Sequence, residues 1–189
     1  MDAGSPSWLD DALPGAAPLT RRELDRLFEA AYEELKRLAA AVRGDAPGLT
    51  LTPTALVNEA WLKLSASTEL RPTSRLHFKR IAARAMRQVL VEAARRRNAA
   101  KRGGGVAPVT FDEALEHAEA GPEDILALDA ALEELARLSP RQALMVESRF
   151  FGGLGVAETA ELLQVSEATV LRDWRAARAW LATQLRSSR

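Results

Sequence analysis

Val156-Ala-Glu-Thr-Ala-Glu-Leu-Leu163, Gln164-Val165 and Ser166-Glu-Ala-Thr-Val-Leu-Arg-Asp-Trp-Arg175 are three consecutive pieces of one unit. The first reads as a short helix, the second as a tight turn, and the third as a helix whose N-cap is Ser166. Together they have the parts of a helix-turn-helix. Ala160 is small where the two helices must approach closely, and Val165, Val170 and Trp174 can fill the space between them. Thr169, Arg172 and Arg175 then lie on the outward face, able to reach base edges and phosphates in a major groove, with Arg178 further along toward phosphate. An ordinary helical hairpin shares the small residues and the serine cap; the spacing together with the arginines favours DNA.

Upstream, Ser139-Pro140-Arg141-Gln142 opens a helix with a capping-box pattern and a proline at the first helical position. Pro122 opens the one before it, with Ile125, Leu128, Leu132 and Leu135 on one face. Residues 103–123 hold three consecutive glycines, two prolines and the acids Asp112, Glu113, Glu116, Glu119 and Glu123, the composition of a flexible acidic linker. Earlier still, Ile81, Ala82, Ala85, Met86, Val89, Leu90 and Ala93 keep a helical period between Ser74 and Arg97. Thr52-Pro53 caps and opens a helix on Leu56, Val57, Ala60, Trp61 and Leu64, and the spacing from Leu24 to Val42 stripes a helix of about 20 residues. No stretch alternates in the way of a strand. The expected architecture is all-α: two small helical domains joined by the acidic linker, with a disordered tail at 1–18, a three-helix domain at 19–102, the linker at 103–123 and the helix-turn-helix domain at 124–189.

The 189 residues carry no net charge, but the charge is segregated. Residues 19–102 have 18 basic and 9 acidic residues, residues 103–138 have one base against nine acids, and residues 139–189 return to a small basic excess. Two nucleic-acid-facing units separated by an acidic piece fit this pattern better than an evenly neutral protein does. The absence of cysteine excludes disulfides and thiolate metal sites, and His77 and His117 are too far apart to suggest a ligand cluster, so neither metal nor cofactor is expected. The N-terminus has neither the basic start nor the apolar core of an export signal, and no stretch approaches the roughly 18 apolar residues of a membrane span. A cytoplasmic protein without a membrane partner is expected.

Two further segments invite partners. Arg75 to Arg102 carries ten basic residues and one acid, Glu92, on a helix of about 40 Å, long enough to follow several phosphates. His77 and Phe78 at its start can stack on an unpaired base, although they read more readily as a surface histidine and a core phenylalanine. In residues 54–64 the apolar stripe leaves Asn58, Glu59 and Leu62 pointing elsewhere, a surplus surface that suggests a protein partner. Nothing forms a nucleophile with its base, and Gly103-Gly104-Gly105 lacks the lysine and hydroxyl residue of a phosphate loop, so no enzyme is expected.

In this order the segments resemble the sigma factors of bacterial RNA polymerase, of the extracytoplasmic-function group that keeps two conserved domains. Leu56-Val57-Asn58-Glu59-Ala60-Trp61-Leu62-Lys63-Leu64 resembles the polymerase-binding helix, which implies that Leu56, Val57, Asn58, Glu59 and Leu62 meet core polymerase. Phe78-Lys-Arg-Ile-Ala-Ala-Arg84, continuing to Arg97, is similar to the helix that recognises and melts the upstream edge of the transcription bubble. That likeness implies DNA contacts from Arg75, His77, Phe78, Lys79, Arg80, Arg84 and Arg87. Leu138-Ser-Pro-Arg-Gln142, Arg149-Phe-Phe-Gly-Gly-Leu154 and the helix-turn-helix resemble the domain that reads the distal promoter element, implying contacts from Ser166, Thr169, Leu171, Arg172, Arg175 and Arg178. Partners implied are core RNA polymerase, promoter DNA and, as an optional addition, an anti-sigma protein. Asn58 stands where the family usually has glutamine, Gln164 where it commonly has glycine, and Leu171 and Asp173 where it has basic residues. A left-handed Gln164 would cost about 1 kcal/mol, and the recognition helix is less positive than the family norm. The alternatives are a helix-turn-helix regulator acting without polymerase, which would need a dimer surface or a phospho-acceptor pocket, and an adaptor that binds polymerase but not DNA.

Overall fold

The structure, a computed structural model, describes residues 20–43, 51–66, 72, 74–100 and 122–187. Its helices are α1 (Arg21–Arg43), α2 (Pro53–Ser65), α3 (Arg75–Ala100), α4 (Pro122–Leu138), α5 (Pro140–Phe150), α6 (Val156–Leu163) and α7 (Glu167–Ser187), and no strand occurs among the described residues. The all-α expectation holds. The expected tail at 1–18 and residues 103–121 of the expected linker lie outside the described residues.

Short-range chemistry sets the helix starts. Thr20 and Glu23 form a capping box on α1, with the Thr20 amide donating to Glu23 Oε2 at 2.8 Å and the Glu23 amide donating to Thr20 Oγ1 at 3.4 Å. At α2 the Ala55 amide donates to Thr52 Oγ1 at 3.1 Å, and Pro53 sits where no amide is needed. The capping box expected at Ser139 is absent: its backbone is at φ −150°, ψ 85°, and its side chain makes no cap bond. Ser139 instead spends its amide on Leu135 O at 2.7 Å, closing α4 while Pro140 opens α5.

In the N-terminal unit, Phe28 of α1 stacks on Trp61 of α2 at 4.3 Å, with Tyr32 edge-on to Phe28 at 5.5 Å. Leu35, Leu56, Val57, Leu64 and Met86 are buried around them, each contributing about 1.5–3 kcal/mol. One side of α3, at Ala82 and Met86, closes this core. Its other side meets the C-terminal unit: Val91 lines a cleft with Leu132 of α4 and with Ala143 and Leu144 of α5, and Ala83 lies beside Gly152. Alanines on both faces of α3 let helices approach from two directions, and the buried residues form one continuous core.

The loop after α5 tightens this contact. Gly153 has φ +61°, and a Cβ there would overlap the side chain of Leu38 on α1; a Cβ on Gly152 would overlap Ser148 O. Only glycine fits a backbone pressed this closely in a left-handed conformation. The two units expected to be joined by a linker are thus also packed directly on each other across α3.

Candidate nucleic-acid interface

Helices α6 and α7 form the helix-turn-helix. Gln164 between them is left-handed at φ 53°, ψ 45°, and Val165 donates to Ala160 O at 3.0 Å, which closes the end of α6. At its start, Glu158 reaches back to accept from the Gly155 amide at 2.9 Å, and the Thr159 hydroxyl donates to Gly155 O at 2.7 Å. Ser166 caps α7 by accepting from the Thr169 amide at 3.2 Å, and the Ser166 and Thr169 hydroxyls share a 2.9 Å bond. Val170, Asp173, Ala177 and Leu181 face inward. Leu171, Arg172 and Arg175 are exposed, whereas Thr169 and Arg178 are half-buried. Of the expected outward residues, Arg172 and Arg175 lie on the exposed side with Leu171 beside them, and Thr169 lies at its half-buried margin.

Asp173 pairs chiefly inward, and its Oδ1 also lies 3.7 Å from Arg172 Nε on the outward face. It is buried, and its Oδ2 accepts from Arg141 Nε at 3.1 Å and from another Arg141 guanidinium nitrogen at 2.7 Å. The acid tethers α7 to α5, while Leu171, Arg172 and Arg175 stay exposed to solvent. Arg149 of α5 lies over the Trp174 ring at 4.3 Å; burial pushes its guanidinium below the ordinary arginine value, and the ring face supplies compensating electron density.

On α3 the expected contact residues part company. Arg75 is exposed and faces Glu34 at 3.4 Å. Phe78 is wholly buried and His77 nearly so, with Arg80 donating to His77 Nε2 at 2.7 Å. The sequence expectation of base stacking gives way here to the core reading of Phe78, because α3 is packed from two sides at this point. Lys79 is only 6% exposed and bridges Glu34 Oε1 at 2.6 Å and Glu158 Oε1 at 3.1 Å. Burial pulls its ammonium down, but the two carboxylates outweigh this and hold it above the ordinary lysine value. Arg84 is half-buried. Arg87 donates to Asp129 Oδ1 at 2.9 Å, to Asp129 O at 3.1 Å and to Glu147 Oε2 at 2.8 Å. The partners Asp129, Glu147 and Glu158 stand 42 to 79 residues away, which is why no local pattern announced them.

On α2, Leu56 and Val57 are buried and anchor the helix, while Asn58, Glu59 and Leu62 share an open face. Leu62 is 60% exposed, one of three large apolar side chains left exposed among the described residues, with Leu138 and Leu171. Among the described residues no group of acids and histidines could hold a metal, and no helix is long and apolar enough to cross a membrane.

A capped helix that offers two arginines to solvent, in a chain that also carries the arginine-rich α3, has the features of a helix-turn-helix DNA-binding protein. The family model described as ECF sigma factor matches residues 20–187, so the chain belongs to that family, whose members act with RNA polymerase in transcription initiation. No curated protein and no solved structure gave a significant match.

Proposed function

We propose that this sigma factor binds core RNA polymerase through the open face of α2, at Asn58, Glu59 and Leu62, and carries it to promoter DNA in the cytoplasm. Leu56 and Val57 support that face from the core. Helix α7 enters the major groove of the distal element, with Arg172 and Arg175 reaching bases or phosphate, Leu171 making apolar contact, Ser166 and Thr169 approaching at the helix start, and Arg178 near phosphate. Arg75, Arg80, Arg84 and Arg87 of α3 follow the backbone near the proximal element, with His77, Phe78 and Lys79 positioning them. The protein is an initiation factor and not an enzyme; an anti-sigma protein fits as a third partner.

The observation that carries this reading is the exposed Leu62 on an otherwise well-anchored helix, in a chain matched to the family along nearly its full length. A Leu62→Glu variant should keep its helical signal and lose copurification with core polymerase. Copurification at the level of the unaltered chain would remove α2 from the proposal. DNA binding without any core-dependent transcription would favour the regulator alternative.

A further inference from the structure

We propose that Asp173 is a positioning residue for base reading: gripped by Arg141, its carboxylate directs Arg172 on the outward face of α7 and so sharpens the choice of base at the distal element. The inference rests on the reading above, in which α7 enters the groove, and takes Arg172 as a base reader. Asp173 sits where the inward side of the helix meets the outward side, its side chain 9% exposed beside an Arg172 that is 72% exposed. Its two oxygens are divided between two guanidinium groups. Oδ2 accepts from two nitrogens of Arg141, at 3.1 and 2.7 Å, across the contact between α5 and α7. Oδ1 faces Arg172 Nε at 3.7 Å.

An acid on a helix that approaches phosphate opposes binding to every DNA alike. Here two cations flank the one anion, so the trio stays positive. A buried carboxylate is tolerated only where it is paired, and the grip of Arg141 on one oxygen fixes the direction of the other. That second oxygen is close enough to attract Arg172 but too far for a hydrogen bond. The contact therefore uses none of the N–H donors that a guanine edge would draw on. In the free chain, water around the exposed Arg172 screens the attraction. Inside a groove the water is displaced, and the same attraction strengthens. A guanidinium already directed toward its target also loses less freedom on binding, and its support comes from a rigid helix contact rather than from a loop.

The test uses the full chain with core polymerase and selects promoters from a randomised distal element. Arg172→Ala first identifies the base pair that Arg172 reads. Asp173→Asn keeps an oxygen for Arg141 and removes the charge that draws Arg172; preference at that same base pair should fall about three- to tenfold, with preference at the other distal positions kept. With Arg172→Ala already in place, Asp173→Asn should cause no further loss. Arg141→Lys retains a cation beside Asp173 but not the two-nitrogen grip, and it carries the test if Asp173→Asn does not fold. It should lower preference at the same position, by less. For each folded variant, a loss spread evenly over the distal element, a loss that persists beside Arg172→Ala, or no loss at all would overturn the proposal and leave Asp173 a structural tether. Failure of the underlying readings shows separately. Unaltered preference in Arg172→Ala alone would remove Arg172 as a reader and the role of Asp173 with it, and absence of core-dependent transcription by the unaltered chain would remove the sigma-factor reading.

Discussion

Gln164 holds the turn of the helix-turn-helix in a left-handed conformation that a side chain resists, where glycine would meet no penalty. The turn is fixed by the bonds from Gln164 to Glu161 O and from Val165 to Ala160 O, neither of which needs the glutamine side chain. Replacing Gln164 by Gly should therefore stabilise the protein by about 0.5–1 kcal/mol, the relief of the left-handed strain exceeding the extra freedom gained by the unfolded chain. Urea unfolding checks this, and a lower midpoint would mean that the side chain makes a contribution larger than the strain. This residue was legible from sequence because its role depends on immediate neighbours. Asp173 was not: counted only as a charge that makes the recognition helix less positive, it is a buried tether to Arg141, a partner 32 residues away. Phe78 is buried, in keeping with its core reading, whereas the burial of His77, read as a surface histidine, depends on surfaces that pack against α3.

At the scale of elements, periodicity and caps identified the helices well, because both are encoded within a turn or two. Thr52-Pro53 and Ser166 cap as expected, whereas Ser139 has the right residue type in a backbone geometry that cannot use it. The Thr20–Glu23 box was present in the sequence as a threonine followed three residues later by glutamate. For α7, the inward set Val170, Asp173, Ala177 and Leu181 fixes the rotation of the helix and hence which side chains can enter a groove. Arg172 lies in the middle of the exposed side and Arg178 at its half-buried margin. An Arg172→Ala change should thus cost about 1–3 kcal/mol of discrimination at one distal base pair, while Arg178→Ala weakens all sequences alike. Selection from a randomised distal element distinguishes the two, and an unaltered preference for Arg172→Ala would move base reading to Arg175 or Leu171.

For the whole molecule, the sequence displayed two helical units and segregated charge but not how the units meet. Meeting depends on pairs such as Lys79 with Glu158, and on Gly153 against Leu38, none of which leaves a local pattern. The Lys79–Glu158 pair makes the packed state sensitive to acid. The bond from the Gly155 amide, followed by the hydrogen bond and charge of Lys79, holds the Glu158 carboxyl below its ordinary value of 4.5; Arg75 adds to this, and Glu34 shares Lys79. A depressed carboxyl contributes stability that is complete above the unfolded value and is lost as pH falls through the folded one. Unfolding midpoints should therefore decline as pH drops below about 4.5, and Glu158→Gln should flatten the decline; an equal decline in the variant would assign it to other carboxylates. The central claim, that this chain gives core RNA polymerase its promoter choice, is tested most directly by transcription from a pool of randomised upstream DNA with sequencing of the RNA 5′ ends. The account predicts start sites that require the chain and share two upstream elements. Start sites indistinguishable from those of core polymerase alone, with the chain folded and bound to it, would contradict it.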